Sequence, residues 1–212
     1  MIISEEKKFI FIAVTKTGSS SIASALGKYG KIYGHKNKKE TGIRRHIPLN
    51  NFVRNHNLLL KDQSEYFKFA FVRNPWERAV SWYTYTGRLD PKKDLVDSAG
   101  KMIKCRSSKG LSFSEFIKEK KFIWGSAIGG QLGMITNSDG KILADFIGRF
   151  ENIQEDFDIV CDKIGIPREK LPHKNKSKHK YYTKYYDEET MEVVAKEYKN
   201  DIEFFGYKFG GK

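Results

Sequence analysis

A group of residues that could bind an anion stands directly after a short apolar run. These residues are Lys16, Thr17, Gly18, Ser19, Ser20 and Ser21. The apolar run predicts a buried strand, and the residues that follow have the spacing of a helix. A turn between a strand and a helix points backbone N–H groups outward, where they and the helix dipole attract an anion. The hydroxyls add donors and the lysine adds positive charge, so the turn is predicted to bind phosphate or sulfate.

A second candidate anion site follows another apolar run. Arg73 comes directly after residues 66–72, and Ser81 lies two helical turns further along. In open α/β sheets the carboxyl ends of the strands face the ligand crevice. Each residue alone is typical of a structural position, but together, at the end of a neighbouring strand, they predict a second anion site.

A lysine cluster at residues 174–180 has three possible interpretations. The cluster could be a solvated loop, a nucleic-acid patch with nearby tyrosines that stack on bases, or a lid over an anionic ligand. If it is only a solvated loop, removing the lysines should leave ligand affinity unchanged.

The elements that must position these residues follow a simple pattern. Residues 8–14 and 66–72 each predict a strand followed by a helix, residues 142–150 a third strand, and residues 152–164 a helix. Repeated strand–turn–helix units predict an α/β fold with a parallel sheet. Since internal repeats and a clear linker are absent from the sequence, we expect a single domain over residues 1–212.

Composition bounds the class of protein. The 212 residues are 39% hydrophobic and 31% charged, which is typical of a globular chain. The formal charge of +13 favours a polyanionic partner without choosing among them. Cys105 and Cys161 form no Cys-x-x-Cys pair, which predicts two unpaired thiols and no zinc site. The N-terminus has no signal-peptide core, and no run reaches the roughly 18–20 apolar residues of a membrane span, so a cytoplasmic protein is expected.

The first turn differs from the nucleotide-triphosphatase P-loop. In that pattern the lysine follows the last glycine, and the next Ser or Thr holds magnesium. Here Lys16 precedes Gly18, and the sequence contains no Gly-x-x-x-x-Gly-Lys. This order argues against a triphosphate ligand.

Five segments resemble a known family. Residues 15–21 (TKTGSSS) resemble the 5′-phosphosulfate loop of the sulfotransferases that use 3′-phosphoadenylyl sulfate (PAPS). Residues 71–83 (FVRNPWERAVSWY) resemble their 3′-phosphate motif. Residues 147–157, 171–177 and 201–207 are similar to further blocks of the branch that acts on carbohydrates, the heparan and chondroitin type. The blocks occur in the family's order.

The resemblance implies roles for individual residues. Lys16 would neutralise charge on the leaving phosphate oxygen, and residues 17–21 would hold the 5′-phosphosulfate. Arg73 and Ser81 would hold the 3′-phosphate. Lys174 or Lys178 would contact the same phosphate from a lid.

The resemblance also bears on what the reaction requires. In-line sulfuryl transfer depends on positioning and charge stabilisation, and no metal is required. One departure from the family is Thr15, where the family often has proline; this alters the turn but removes no ligand. The likeness weakens between residues 87 and 140.

The acceptor hydroxyl needs a base, and histidine has a suitable pKa. The chain has five histidines, His35, His46, His56, His173 and His179. His46 lies between the two cofactor motifs, where the family places its base. His35 follows Gly34 in a basic loop and is the alternative.

The sequence therefore predicts a PAPS-dependent sulfotransferase with a P-loop-like three-layer fold, in which helices flank a central parallel sheet. It would move a sulfuryl group from PAPS to a hydroxyl, by its branch on a carbohydrate, and release adenosine 3′,5′-bisphosphate (PAP). Two alternatives stay open: a nucleotide kinase or triphosphatase, and a basic nucleic-acid-binding module. Neither a membrane nor a nucleic acid is the expected partner.

Overall fold

The computed structural model describes residues 1–34, 46–55, 64–88, 95–96, 102–103, 107–119, 130–172 and 180–211. The chain divides into two compact units. Unit 1 comprises Met1–Val72 and Gly133–Asn175, and unit 2 comprises Arg73–Leu132 and Lys176–Lys212. The single domain expected over residues 1–212 stays a prediction.

The strands in the described residues are β1 (Ile2–Ser4), β2 (Phe9–Ile12), β3 (Lys31–Ile32), β4 (Phe67–Val72), β5 (Leu95–Val96), β6 (Met102–Ile103) and β7 (Phe146–Arg149). The α-helices are α1 (Ser19–Leu26), α2 (Leu49–Asn55), α3 (Pro75–Thr86), α4 (Phe113–Lys118), α5 (Ile153–Ile164), α6 (Glu188–Glu197) and α7 (Lys199–Phe205). Short 3₁₀ helices cover Leu132–Met134, Phe150–Asn152 and Tyr182–Tyr185.

Unit 1 contains a mixed sheet. Within the described residues its five strands lie in the order β3-β1-β2-β4-β7. β2, β4 and β7 are parallel, as the strand–turn–helix pattern predicted. β1 and β3 extend one edge in antiparallel pairing, which the sequence analysis did not predict. Because only residues 5–8 join β1 to β2, there is no room for the crossover that parallel strands need.

Phenylalanines form one face of the sheet's core. Residues alternate between faces along a strand, so Phe9 and Phe11 of β2 and Phe69 and Phe71 of β4 share a face, and all four are fully buried. The Phe11 and Phe69 rings stack with their centroids 5.3 Å apart. Burying a phenylalanine side chain stabilises a fold by roughly 2–3 kcal/mol, so this face is a major part of the stability of unit 1.

Helices α1 and α5 cover the phenylalanine face. α1 contributes Ile22 and Leu26, and α5 contributes Phe157 and Val160, all fully buried in the same core. These residues recur every three or four positions, so each helix presents one apolar stripe. The helices predicted after the first strand and over residues 152–164 are thereby confirmed. A mixed α/β fold results.

Unit 2 is built on α3. The Asn74 side chain caps this helix by accepting a hydrogen bond from the Trp76 N–H at 3.1 Å, and Pro75 occupies the first helical position. Proline has no N–H to leave unsatisfied there, so the sequence Asn-Pro favours a helix start. α4 and α6 pack against α3.

Capping boxes begin two of the helices in unit 2. Ser112 and Glu115 form the box at the start of α4. Asp187 and Thr190 form the box at the start of α6. Each box satisfies backbone N–H groups that have no partner within the helix.

None of the helices in the described ranges has the length and apolar character needed to cross a bilayer.

We expect Gly148→Ala to lower the free energy of unfolding by about 1–3 kcal/mol, because it would overpack the core. Gly148 of β7 pairs with Phe71 of β4, and a Cβ on Gly148 would lie 2.5–2.8 Å from three carbons of the Phe71 ring. Urea denaturation of the purified variant measures the loss.

A double-mutant cycle with Phe71→Leu provides the control, since leucine removes ring atoms from the space over Gly148. Gly148→Ala should cost less stability in the Phe71→Leu background than in the wild type. An equal cost in both backgrounds would contradict the overpacking explanation.

Candidate functional site

The turn between β2 and α1 has two residues in the left-handed backbone region. Gly18 is the N-cap of α1, with φ 76° and ψ 8°. Lys16, which has a Cβ, has a φ of 65°. A positive φ costs little for glycine, but it is uncommon for other residues and is often found at functional sites. The turn therefore has a strained backbone at the lysine predicted to contact the anion.

The same turn is closely packed against the start of α5. A Cβ on Gly18 would overlap the Ile153 side chain and would lie 3.2 Å from a ring carbon of Phe150. Phe150 and Ile153 belong to residues 147–157, the third block of the resemblance. Position 18 thus requires glycine for two independent reasons, its backbone angle and its lack of space.

The N-terminal end of α1 has the features of an anion site. No side chain caps it, and no acidic residue stands in its first turn. Ser19, Ser20 and Ser21 form that turn, and the Ser21 N–H bonds the Gly18 carbonyl at 2.9 Å. The positive end of a helix dipole attracts negative charge, and here no carboxylate of the first turn offsets it.

The Thr17 hydroxyl, expected from its residue type to donate to the anion, has a different partner. The Thr17 side chain is fully buried, and its hydroxyl donates a hydrogen bond to the Val14 carbonyl at 3.0 Å. A hydroxyl has one proton to donate, so this proton is used inside the turn. Any hydrogen bond that Thr17 donates to an anion would have to come from its backbone N–H.

His46 contacts Ala13, the first residue after β2. Its Nδ1 is 2.6 Å from the Ala13 carbonyl oxygen. A carbonyl only accepts, so Nδ1 must carry the proton, and in the neutral ring the lone pair is on Nε2. Pro48, Leu49 and Phe52, in the segment that follows His46, are buried. The ring with its proton on Nδ1 is the tautomer that a general base acting through Nε2 needs.

In unit 2, Arg73 is the residue before the α3 N-cap, and it is 6% exposed. Its guanidinium Nη2 contacts a Glu77 carboxylate oxygen at 2.9 Å. The Gln131 side chain holds the Arg73 backbone at both polar atoms: Oε1 accepts from the Arg73 N–H, and Nε2 donates to the Arg73 carbonyl, both at 2.8 Å. The arginine is therefore fixed through its main chain as well as its side chain.

Gln131 and Asp201 were missed as site residues by sequence reasoning. Both are buried, and the Asp201 carboxylate accepts hydrogen bonds from the Gln131 and Leu132 N–H groups. Asp201 stands in one of the resembled blocks, but Gln131 lies in the glycine-rich stretch where the resemblance weakens. No local pattern around Gln131 indicates a partner 58 residues away.

Ser81 lies on α3 and is 8% exposed.

On the same helix, the buried Arg78 guanidinium lies over the Tyr198 ring, 5.5 Å from its centroid. Burial raises the pKa of Tyr198 to about 12, with Arg78 opposing the rise and Asp201 adding to it. Tyr198 therefore stays neutral, and a guanidinium and a carboxylate both act on it.

Several predicted residues lie outside the described residues, namely His35, His56, Lys174, Lys178, His173, His179 and Cys105. Cys161 is a free, fully buried thiol whose pKa burial raises to about 11, so it is unreactive. Within the described residues, no three His, Cys, Asp or Glu side chains form a group able to hold a metal ion.

The described site residues fall into the two units. Unit 1 contains Lys16, residues 17–21 and His46, and a hydrogen bond links His46 to the strand end before the turn. Unit 2 contains Arg73, just before the N-cap of α3, and Ser81, in the middle of that helix, and both are buried. The first unit thus combines a candidate base with a candidate anion turn.

Two substitutions at Lys16 should isolate the stability cost of its left-handed backbone. We expect Lys16→Gly to be more stable than Lys16→Ala by about 1 kcal/mol, because only glycine adopts the left-handed region without a Cβ clash. Both variants lack the ammonium group, so the comparison isolates the backbone term. Thermal or urea denaturation of the two variants measures it, and equal stability would contradict strain at Lys16.

Comparison with known proteins places the chain in a family. Residues 1–208 match the sulfotransferase family. An uncharacterized protein of Archaeoglobus fulgidus is 34% identical over 104 residues, which are 49% of this chain and 72% of the relative. No solved structure matches the chain. The match confirms the family that the motifs predicted, while the carbohydrate branch stays a prediction. The chain belongs to the sulfotransferase family, whose members are transferases of sulfuryl groups.

Proposed function

We propose that this protein transfers the sulfuryl group of PAPS to an acceptor hydroxyl, with His46 as the base. One observation carries the proposal: the His46 ring is hydrogen-bonded at 2.6 Å to Ala13, three residues before Lys16, the first residue of the anion turn. The predicted base and the predicted 5′-phosphosulfate turn are therefore neighbours within unit 1. The fold would be P-loop-like, with the turn after β2 in the position of the phosphate loop.

The first anion turn fits the 5′ end of the donor. The Lys16 ammonium, the first-turn N–H groups of α1 and the hydroxyls of Ser19, Ser20 and Ser21 supply positive charge and donors. The Thr17 contact would come from its backbone, because its hydroxyl bonds Val14. The absence of acidic residues from this turn supports an anionic ligand.

The turn before α3 fits the 3′-phosphate. Arginine presents a planar fork of donors that matches phosphate oxygens, and Ser81 on the same helix adds a hydroxyl. The Arg73 guanidinium forms an ion pair with Glu77, which holds the guanidinium in place before any ligand binds. By the resemblance, Lys174 or Lys178 would add charge to the same phosphate as part of a lid.

The proposed chemistry assigns one task to His46 and one to Lys16. Nε2 of His46 accepts the proton of the acceptor hydroxyl as its oxygen attacks the sulfur. Lys16 neutralises charge on the phosphate oxygen from which the sulfuryl group departs. The donor supplies an activated sulfuryl group, and the protein supplies position and electrostatic stabilisation. By the family branch, the acceptor is a carbohydrate.

A thermal-shift comparison tests donor recognition. We expect PAP to raise the melting temperature, and ATP with magnesium to raise it less, because the lysine precedes the glycine of the turn. Stabilisation by ATP with magnesium alone would favour a nucleotide kinase or triphosphatase. No shift with either ligand would favour a nucleic-acid-binding module.

Arg73→Gln should abolish the preference for PAP over adenosine 5′-monophosphate while leaving the fold intact. The Gln131 amide bonds the backbone of residue 73, so removing the guanidinium keeps both of those bonds. Arg88→Gln, at an exposed arginine, controls for the lost positive charge. Calorimetric titration measures both affinities, and a preserved preference in Arg73→Gln would refute the assignment.

His46→Asn should separate catalysis from folding. The asparagine Nδ2 occupies about the place of histidine Nδ1 and can donate to Ala13, but it offers no basic nitrogen. We expect PAP affinity to stay within about twofold and turnover to fall by about 10²–10⁴-fold, the usual contribution of a general base. Radiolabelled sulfuryl transfer to a panel of hydroxyl acceptors gives the rate.

A matched variant distinguishes the two candidate bases. His35→Asn should keep most of the turnover if His46 is the base. Loss of turnover in His35→Asn with normal turnover in His46→Asn would reverse the assignment.

A further inference from the structure

The backbone of Arg73 is held by a side chain that imitates a strand. Residue 73 follows the last residue of β4, where the chain leaves the sheet. Gln131 accepts from its N–H and donates to its carbonyl, both at 2.8 Å. These are the two bonds that a neighbouring strand would make. Both residues are in unit 2 and are buried, so water does not compete.

Gln131 is itself held by a buried carboxylate. Asp201 is 1% exposed, and its Oδ2 accepts from the Gln131 N–H at 2.8 Å while its Oδ1 accepts from the Leu132 N–H at 2.9 Å. Hydrogen bonds to a charged acceptor are stronger than neutral ones. One carboxylate therefore fixes two successive peptide groups.

The backbone before Gln131 is shaped to admit that carboxylate. Gly130 has a φ of 74°, and a Cβ there would lie 2.6 Å from Oδ1 of Asp201. A residue with a side chain would push the carboxylate away. The glycine, the glutamine and the aspartate thus form one arrangement that ends at Arg73.

We propose that Asp201 and Gln131 are positioning residues for anion recognition by Arg73, a role that rests on the proposed function. Asp201 sets the position of the Gln131 backbone, and the Gln131 amide sets the position of the Arg73 backbone. Bidentate contacts between a guanidinium and a phosphate are sensitive to small displacements of the arginine. The specificity of the site for a 3′-phosphate therefore depends on a carboxylate that does not touch the ligand.

The measurement is the ratio of the Kd for adenosine 5′-monophosphate to the Kd for PAP, determined by calorimetry. The two ligands differ by the 3′-phosphate alone, so the ratio reports recognition of that group. A loss of general stability does not change this ratio while the protein stays folded.

Two variants probe the relay. Asp201→Asn keeps the shape but replaces one acceptor oxygen with an N–H donor that faces a backbone N–H. Gln131→Glu keeps the bond to the Arg73 N–H but sets a carboxylate oxygen against the Arg73 carbonyl. Each should lower the ratio about tenfold, as expected for the loss of a hydrogen bond that orients a charged group.

Val194→Ala is the matched control, because Val194 is fully buried on α6 in the same unit and takes no part in the relay. It should lower the melting temperature and leave the ratio at the wild-type value. A fall in the ratio in the relay variants but not in the control supports the proposal.

The outcomes separate the two proposals. If wild type has no preference for PAP, the 3′-phosphate site itself is refuted, and the positioning role with it. If wild type prefers PAP and Arg73→Gln loses the preference, the site stands. A folded Asp201→Asn or Gln131→Glu with the wild-type ratio then overturns the positioning role alone. If Asp201→Asn does not fold, Gln131→Glu decides by the same ratio.

Discussion

The arrangement of unit 1 depends on a glycine that has no room for a side chain. Gly18 begins α1 in the left-handed region, and the side chains of Phe150 and Ile153 occupy the space that a Cβ would need. Because helix α1 and the start of α5 approach each other there, the turn after β2 has a defined backbone. Residues 15–21 and 147–157 are distant in sequence, yet they pack against each other at the Cα of Gly18.

Unit 2 solves a different problem at the start of α3. A chain that leaves a sheet has backbone N–H and carbonyl groups without strand partners, and leaving them buried and unpaired is costly. Gln131 satisfies both groups of Arg73, and Asp201 accepts from the N–H groups of Gln131 and Leu132. The buried carboxylate is tolerated because it accepts two N–H bonds. These hydrogen bonds hold the backbone of Arg73 in one position.

Much of the fold could be predicted from local pattern. The apolar runs ending at the first turn and at Val72 are strands. The three- and four-residue spacing of apolar residues identifies the helices α1 and α3 that follow them, and α5 after β7. β1 and β3 were not predicted, because strands of three and two residues are too short for periodicity to indicate. For Thr17, residue type indicated a donor to the ligand. Its hydroxyl is instead bonded to Val14, a contact that depends on the folded turn.

The sequence by itself determined the family, the order of the anion turns and the residue types available for chemistry, because these depend on composition and spacing along the chain. The tertiary structure decided which of these groups have partners. It brought the His46 ring to the Ala13 carbonyl across 33 residues, and this contact selects the proton position on the ring. It also joined Arg73 to Gln131 and Asp201, which no local pattern connects. Both contacts join groups that are far apart in the sequence and pair only in the folded chain, where buried backbone groups need partners. One-dimensional spacing does not record which groups will meet.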